Sequence, residues 1–216
     1  MTDRQIPEHH GPRIIAVGGH TRSIGKTAAV EDIIRATRDA AWTAVKITQF
    51  GHGVCSLDGQ PCDCAPRHGR FAVEEDGSRE GRTDTSRFLL AGAARSLWVR
   101  TRQGCLSDAM PRIAEKLRGS RHVIIESNSL LDFLQPDFYL VVLDPLRADF
   151  KESARRLLAR ADAFLLRAPL NGMRWPGVAH EHIGQRPQFP QPPGHALPAA
   201  LLSLIAARVF APPPPT

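Results

Sequence analysis

Apolar and polar positions along the chain fall into short blocks whose period changes repeatedly. Arg13-Ile14-Ile15-Ala16-Val17 is a mostly β-branched run that stops at Gly18-Gly19, which predicts a buried strand entering a turn. Val30, Ile33, Ile34, Thr37 and Ala41 then recur at helical spacing, predicting a helix over Lys26–Ala41. Further strands are predicted at Thr43–Thr48, Ser96–Thr101, His122–Glu126, Phe138–Leu143 and Ala163–Arg167. Helices are predicted at Asp84–Ala93, Ser107–Arg118 and Lys151–Arg160. The strands are almost continuously apolar, as in His122-Val123-Ile124-Ile125, so both faces of the sheet must be covered. Strands alternating with helices predict an α/β fold in three layers, with a mostly parallel sheet between two layers of helices.

Three segments break the alternation. Residues 1–12 form a polar leader, and a loop rich in Gly, Cys, Asp and Pro runs over about 49–82. A loop of that length within a compact domain carries function or is disordered. Half of the 18 prolines lie beyond Gln185, so residues 186–216 read as an appendage with one short helix at Leu197–Arg208, and 13–185 as the domain. No apolar stretch reaches the ~20 residues needed to cross a bilayer, and Met1–Arg13 lacks the apolar centre of a secretory signal. A soluble, cytoplasmic protein is expected, with no membrane partner.

The chain has 216 residues and a formal net charge of +6, which suits anionic partners. Its basic residues are scattered and aromatics make up only 6%, so phosphate-bearing small molecules are expected rather than nucleic acid. The strongest chemical signal lies between the first strand and the first helix: Gly18-Gly19-His20-Thr21-Arg22-Ser23-Ile24-Gly25-Lys26-Thr27-Ala28. In a phosphate loop, glycines let backbone N–H groups converge on phosphate oxygens, and the helix N-terminus adds positive potential. Lys26 then neutralises the β- and γ-phosphates, and the Thr27 hydroxyl can hold Mg²⁺. The usual spacing would place the first glycine at position 20, which is His20; counted from Gly19, the loop is one residue longer. A carboxylate at a neighbouring strand end would complete the magnesium site, and Glu126, followed by Ser127-Asn128-Ser129, is favoured over the turn-forming Asp144-Pro145.

Three cysteines, Cys55, Cys62 and Cys64, crowd together near His52 and His68. Soft ligands at that density suit a tetrahedral zinc or an iron–sulfur site, with Cys55, Cys62, Cys64 and His68 as the candidate set. The alternative is a loop of reduced thiols. Cys105, near a helix start, reads as a buried apolar residue, and Asn171-Gly172 as a turn.

The five-residue gap between Gly19 and Gly25 resembles the phosphate loop of dethiobiotin synthetase and related cofactor-assembly P-loop NTPases. A second stretch, Lys46 with Asp84, Thr85, Arg87 and Ala91-Gly92-Ala93, resembles the MobB family of molybdopterin-guanine dinucleotide biosynthesis. Arg82 stands where that family prefers lysine, and Thr48-Gln49 replaces its histidine-rich turn. The resemblance implies a P-loop NTPase that binds GTP or ATP with Mg²⁺ through residues 19–28, with Lys26, Lys46 and Glu126 catalytic. It also implies a partner protein that processes molybdopterin, and a homodimer is compatible with it. Two other readings stay open: an ATP-dependent ligase or kinase acting on a small acid, and a metallochaperone gated by nucleotide.

Overall fold

The computed structural model describes residues 11–51 and 69–211. They form one eight-stranded sheet in the order β3-β4-β2-β5-β1-β6-β7-β8. Its strands are β1 (Arg13–Gly19), β2 (Thr43–Phe50), β3 (Phe71–Asp76), β4 (Arg95–Arg102), β5 (His122–Glu126), β6 (Phe138–Leu143), β7 (Ala163–Leu166) and β8 (Gln188–Pro190). All pairings are parallel except that of β3 with β4. The helices are α1 (Lys26–Ala36), α2 (Asp84–Ala91), α3 (Leu106–Lys116), α4 (Glu152–Leu157), α5 (His180–Gly184) and α6 (Ala199–Ile205).

The three layers follow from strand composition. Ile15, Val17, Leu140 and Val142 bury one face of the sheet against Ile33 and Ile34 of α1, Phe88 of α2 and Leu201 and Ile205 of α6. On the other face, Val45, Leu97 and Ile125 pack on Leu106 and Ile113 of α3. Further along that face, Val141 and Leu143 meet Ala154 and Leu157 of α4 and Ile183 of α5. This is the three-layer α/β architecture that the alternating pattern predicts, with β1 and its loop at the centre of the sheet.

The structure departs from the sequence expectations in four places. Helix α1 ends at Ala36, not Ala41, because the Thr37 hydroxyl turns back to the Ile33 carbonyl at 2.6 Å and also accepts from Trp42 Nε1 at 2.9 Å. The chain then makes a short 3-10 turn over Arg38–Ala40. The long loop expected over 49–82 contains β3, whose Glu74-Glu75-Asp76 half hides the alternation of a strand. Phe71 and Val73 pack on the core below, and Glu75 pairs with Arg95 and Glu74 with Arg100 across the β3–β4 ladder, at 2.8 and 2.5 Å. Cys105 is half-buried at the N-cap of α3 rather than in the core. The proline-rich segment supplies β8, which pairs with β7, and α6, whose Leu201 and Ile205 are fully buried.

Leu201→Ala removes a fully buried side chain and should lower unfolding free energy by about 2–5 kcal/mol. Denaturant titration measures this, and a loss under about 1 kcal/mol would mean that the tail does not share the domain's cooperative unfolding.

Candidate functional site

The β1–α1 loop projects from the carboxyl end of the central strand, where neighbouring strands part. Its shape is enforced from behind. The Asn128 side chain clamps Gly19, accepting from the Gly19 N–H and donating to its carbonyl, each at 2.9 Å. The buried Arg167 guanidinium, at the end of β7, donates to the carbonyls of Ile24 and Gly25. Arg167 is itself oriented by Gln191 Oε1 at 2.7 Å, and Gln191 Nε2 donates to Asp32 on α1 at 2.8 Å. Gly25 has φ +85°, and a Cβ there would sit 2.9 Å from the Arg167 guanidinium, so glycine is required twice over. Gly19 leaves room for the Lys26 stem, whose Cδ would be 3.0 Å from an added Cβ.

The front of the loop is different. Among the described residues, the backbone N–H groups from Ser23 to Ala28 have no hydrogen-bond acceptor, and Gly25 caps α1 without a side-chain bond. Unpaired amides at the start of an eleven-residue helix, beside a lysine, form a site for an anion. Lys26 Nζ donates to the Thr21 carbonyl at 2.8 Å. Burial pulls its pKa below the usual lysine range, with Lys46 and Arg22 adding to the effect and Glu126 opposing it. Arg22 is half-buried, Ser23 is exposed with φ +54°, and Ile24 is buried under the loop.

His20 and Thr21 point elsewhere. His20, one of the residues 19–28 expected to bind nucleotide, is fully buried between the rings of Phe150 and Trp175, each 5.1 Å away. Its Nε2 accepts from the Asp144 N–H at 3.0 Å, which requires a neutral ring donating through Nδ1 to the Asp149 carbonyl, also at 3.0 Å. Burial holds its pKa below the ordinary histidine value. The Thr21 hydroxyl donates to the Asp149 carboxylate. Both side chains seam the loop to the β6–α4 connection, and Asp144 spends Oδ1 on the Leu146 N–H, as a turn initiator does.

The acidic side of the site comes from strand register. In the β2–β5 ladder Lys46 is the direct partner of Glu126, so residues 80 positions apart become neighbours. Lys46 Nζ lies 2.6 Å from Glu126 Oε1 and 2.7 Å from Asp84 Oδ2, and the Thr27 hydroxyl donates to Glu126 Oε2 at 2.9 Å. Burial alone would lower the Lys46 pKa, but Glu126 and Asp84 outweigh it and hold the pKa above the usual value. Thr27, Glu126, Lys46 and Asp84 thus form one connected line beside the loop.

Asp84, which enters the sequence reading only through the family resemblance, opens α2, where Thr83 and Ser86 make a capping box that fixes its position. The Thr-x-x-Ser pattern of that box is a signal in the sequence. Arg167, Gln191 and the clamping role of Asn128 had none, since each depends on a partner more than 20 residues away. Asn171 sits in its turn with φ +43°. Cys55, Cys62, Cys64, His52 and His68 lie outside the described residues, and among the described residues no group of three His, Cys, Asp or Glu side chains is placed to hold a metal. Among the described residues, no helix is long and apolar enough to cross a membrane.

Compared with models of protein families the chain gives no match, and it gives none among curated proteins. It is similar in fold to LpxK from Aquifex aeolicus in complex with ATP, at 17% identity over 83% of this chain and 53% of that one, with a TM-score of 0.46. It is also similar to a zinc-bound variant of the YjiA GTPase, at 13% identity over 89% and 61% of the two chains and a TM-score of 0.42. A third is the signal recognition particle receptor FtsY from Elizabethkingia anophelis in complex with GDP, at 13% identity over 97% and 67%, with a TM-score of 0.39. The chain therefore spans about half the length of the LpxK chain.

Because His20 is held neutral, acid must destabilise the fold. Its folded pKa lies below 6.5, so the stability it confers is complete above pH 6.5 and is lost as pH falls through the folded value. The melting temperature should drop between pH 7.5 and 5.5, by no more than the equivalent of about 1.4 kcal/mol per pH unit for this one group. His20→Phe should melt lower at neutral pH yet show a flatter profile, and an unchanged slope in that variant would exclude His20 as the source.

Proposed function

We propose that the chain binds a nucleoside triphosphate with Mg²⁺ and hydrolyses or transfers its terminal phosphoryl group. The observation that carries this reading is the row of amides from Ser23 to Ala28, without partners among the described residues, beside Lys26, Thr27 and Glu126. The residues fit a magnesium–phosphate group. A half-buried hydroxyl and a buried carboxylate already in contact would supply hard oxygen ligands, directly or through water, and the loop would supply donors for the phosphates. Thr27 and Glu126 would hold the ion, which when bound withdraws charge from the phosphate oxygens.

The protein's own contribution is positioning and charge. The loop amides orient the β- and γ-phosphates along the axis of α1. Lys26 exchanges its bond to the Thr21 carbonyl for phosphate oxygens. Lys46 stays protonated between Glu126 and Asp84, so its ammonium is available to the charge that develops on the transferred group. In hydrolysis, water adds to the γ-phosphorus, the bond to the β–γ bridging oxygen breaks, and the water's proton leaves with the products.

Within this class, a MobB-like role in cofactor assembly, with GTP as nucleotide and a molybdopterin-processing protein as partner, is supported by one contact. Lys46 and Asp84, two of the residues that carry the resemblance, form an ion pair at 2.7 Å. Arg87, a third, lies 3.7 Å from Asp84 and 2.6 Å from Glu31 of α1, tying α2 to the phosphate-loop helix.

Titration calorimetry with GTP and ATP in Mg²⁺ tests the reading. The wild type should bind a triphosphate, with GTP preferred if the MobB-like role holds. Lys26→Ala should weaken binding at least about tenfold, since a charge-assisted contact is lost. Equal affinity in the variant would refute the site.

A further inference from the structure

The cations around the loop are unequally neutralised. Lys46 faces two carboxylates at ion-pair distance. Among the described residues, Lys26 has only a neutral carbonyl as partner. A third lysine, Lys151, precedes α4 and is half-buried at the same end of the sheet. Its backbone N–H donates to the His20 carbonyl at 2.8 Å. Two residues before it, Asp149 is bound to the Thr21 hydroxyl, and the Asp149 carbonyl and Asp144 N–H hold both nitrogens of His20. The β6–α4 connection is therefore seamed to the first residues of the loop by four hydrogen bonds, which fixes where Lys151 starts. Among the described residues its ammonium has no hydrogen bond and no carboxylate at ion-pair distance.

Partial burial of an unpaired ammonium beside other cations is unfavourable in the free protein. The charged groups around Lys151 are Lys26 and Arg22 from the loop and α1, Asp149 from its own connection and Lys46 from β2. His20, bonded to its backbone, is neutral. Burial first, then Lys26 and Arg22, lower its pKa to about 8, with Asp149 opposing. Groups held in this unfavourable state next to an anion cradle are those a ligand's charge would relieve.

We propose that Lys151 is a phosphate-binding residue of this site, supplied in addition to Lys26, that contacts the terminal phosphate and so discriminates nucleoside triphosphate from diphosphate. The proposal rests on the phosphate-loop reading and adds to it a source of selectivity outside the loop. The bound phosphate raises the Lys151 pKa, so above pH 8 binding must take up a proton, and triphosphate affinity falls as pH rises through that value.

The test is calorimetry of a nucleoside triphosphate and its diphosphate, with Mg²⁺, from pH 7.5 to 9.5. It compares the wild type with Lys151→Met, Lys151→Arg and Lys26→Ala. Lys151→Met should lose about tenfold in triphosphate affinity and less than about twofold in diphosphate affinity. Lys151→Arg should keep the preference and flatten the pH dependence. Wild-type binding at pH 8.5 should show proton uptake, read from the change of enthalpy with buffer, and Lys151→Arg should show less. If Lys151→Met keeps the wild-type preference while Lys26→Ala loses binding, the proposal falls and the phosphate loop stands. Equal loss of both nucleotides in Lys151→Met would make Lys151 a prop for the loop and would overturn the assignment. A wild type that binds neither nucleotide would overturn both.

Discussion

An anion cradle made of backbone amides works only if the protein declines to satisfy those amides itself. That constraint governs the centre of this molecule, because an extended loop with free N–H groups would otherwise fold onto its own carbonyls. The solution is to hold the loop from the rear and the sides. Asn128 takes both backbone groups of Gly19, Arg167 takes the carbonyls of Ile24 and Gly25, and His20 and Thr21 bind the β6–α4 connection. The anchors use carbonyls, side chains and the one N–H of Gly19, while the amides from Ser23 to Ala28 stay free of partners among the described residues.

The same constraint explains the placement of charge. Buried charges beside such a loop must be compensated or left to be compensated by a ligand. On the β2–β5 side compensation is internal, since register brings Lys46 to Glu126 and α2 brings Asp84 to both. On the β6–α4 side it is incomplete, with Lys26 and Lys151 lacking carboxylate partners among the described residues. The site is electrostatically asymmetric, with its acidic groups beside Thr27 and its uncompensated positive charge toward Arg22 and Lys151.

The proline-rich segment bears on this centre too. Gln191 follows β8 and is buried, and it orients Arg167 while binding Asp32 on α1. A segment whose composition suggests an appendage therefore reaches the β1–α1 loop through two hydrogen-bonded side chains. Pro190 ends β8 and Pro198 precedes α6, and Phe189 still packs on the core.

Strand, glycine loop and helix were legible because they are local: apolar runs of one period, glycines where φ turns positive, and a lysine and a threonine beginning a helix. The central strands, the three layers, and Lys26 and Thr27 at the start of α1 follow from those patterns alone. Strand β3 was not legible, because its alternation is confined to Phe71 and Val73 and its other half, Glu74-Glu75-Asp76, finds partners in Arg95 and Arg100 on another strand. Nor was the function of His20, whose burial depends on Phe150 and Trp175. The meeting of Lys46, Glu126 and Asp84, the rear anchors Asn128 and Arg167, and the unpaired state of Lys151 all came from tertiary structure. A sequence fixes which groups can bond and how the backbone bends nearby, but only packing decides which distant groups share a volume, and burial and charge compensation are properties of that volume.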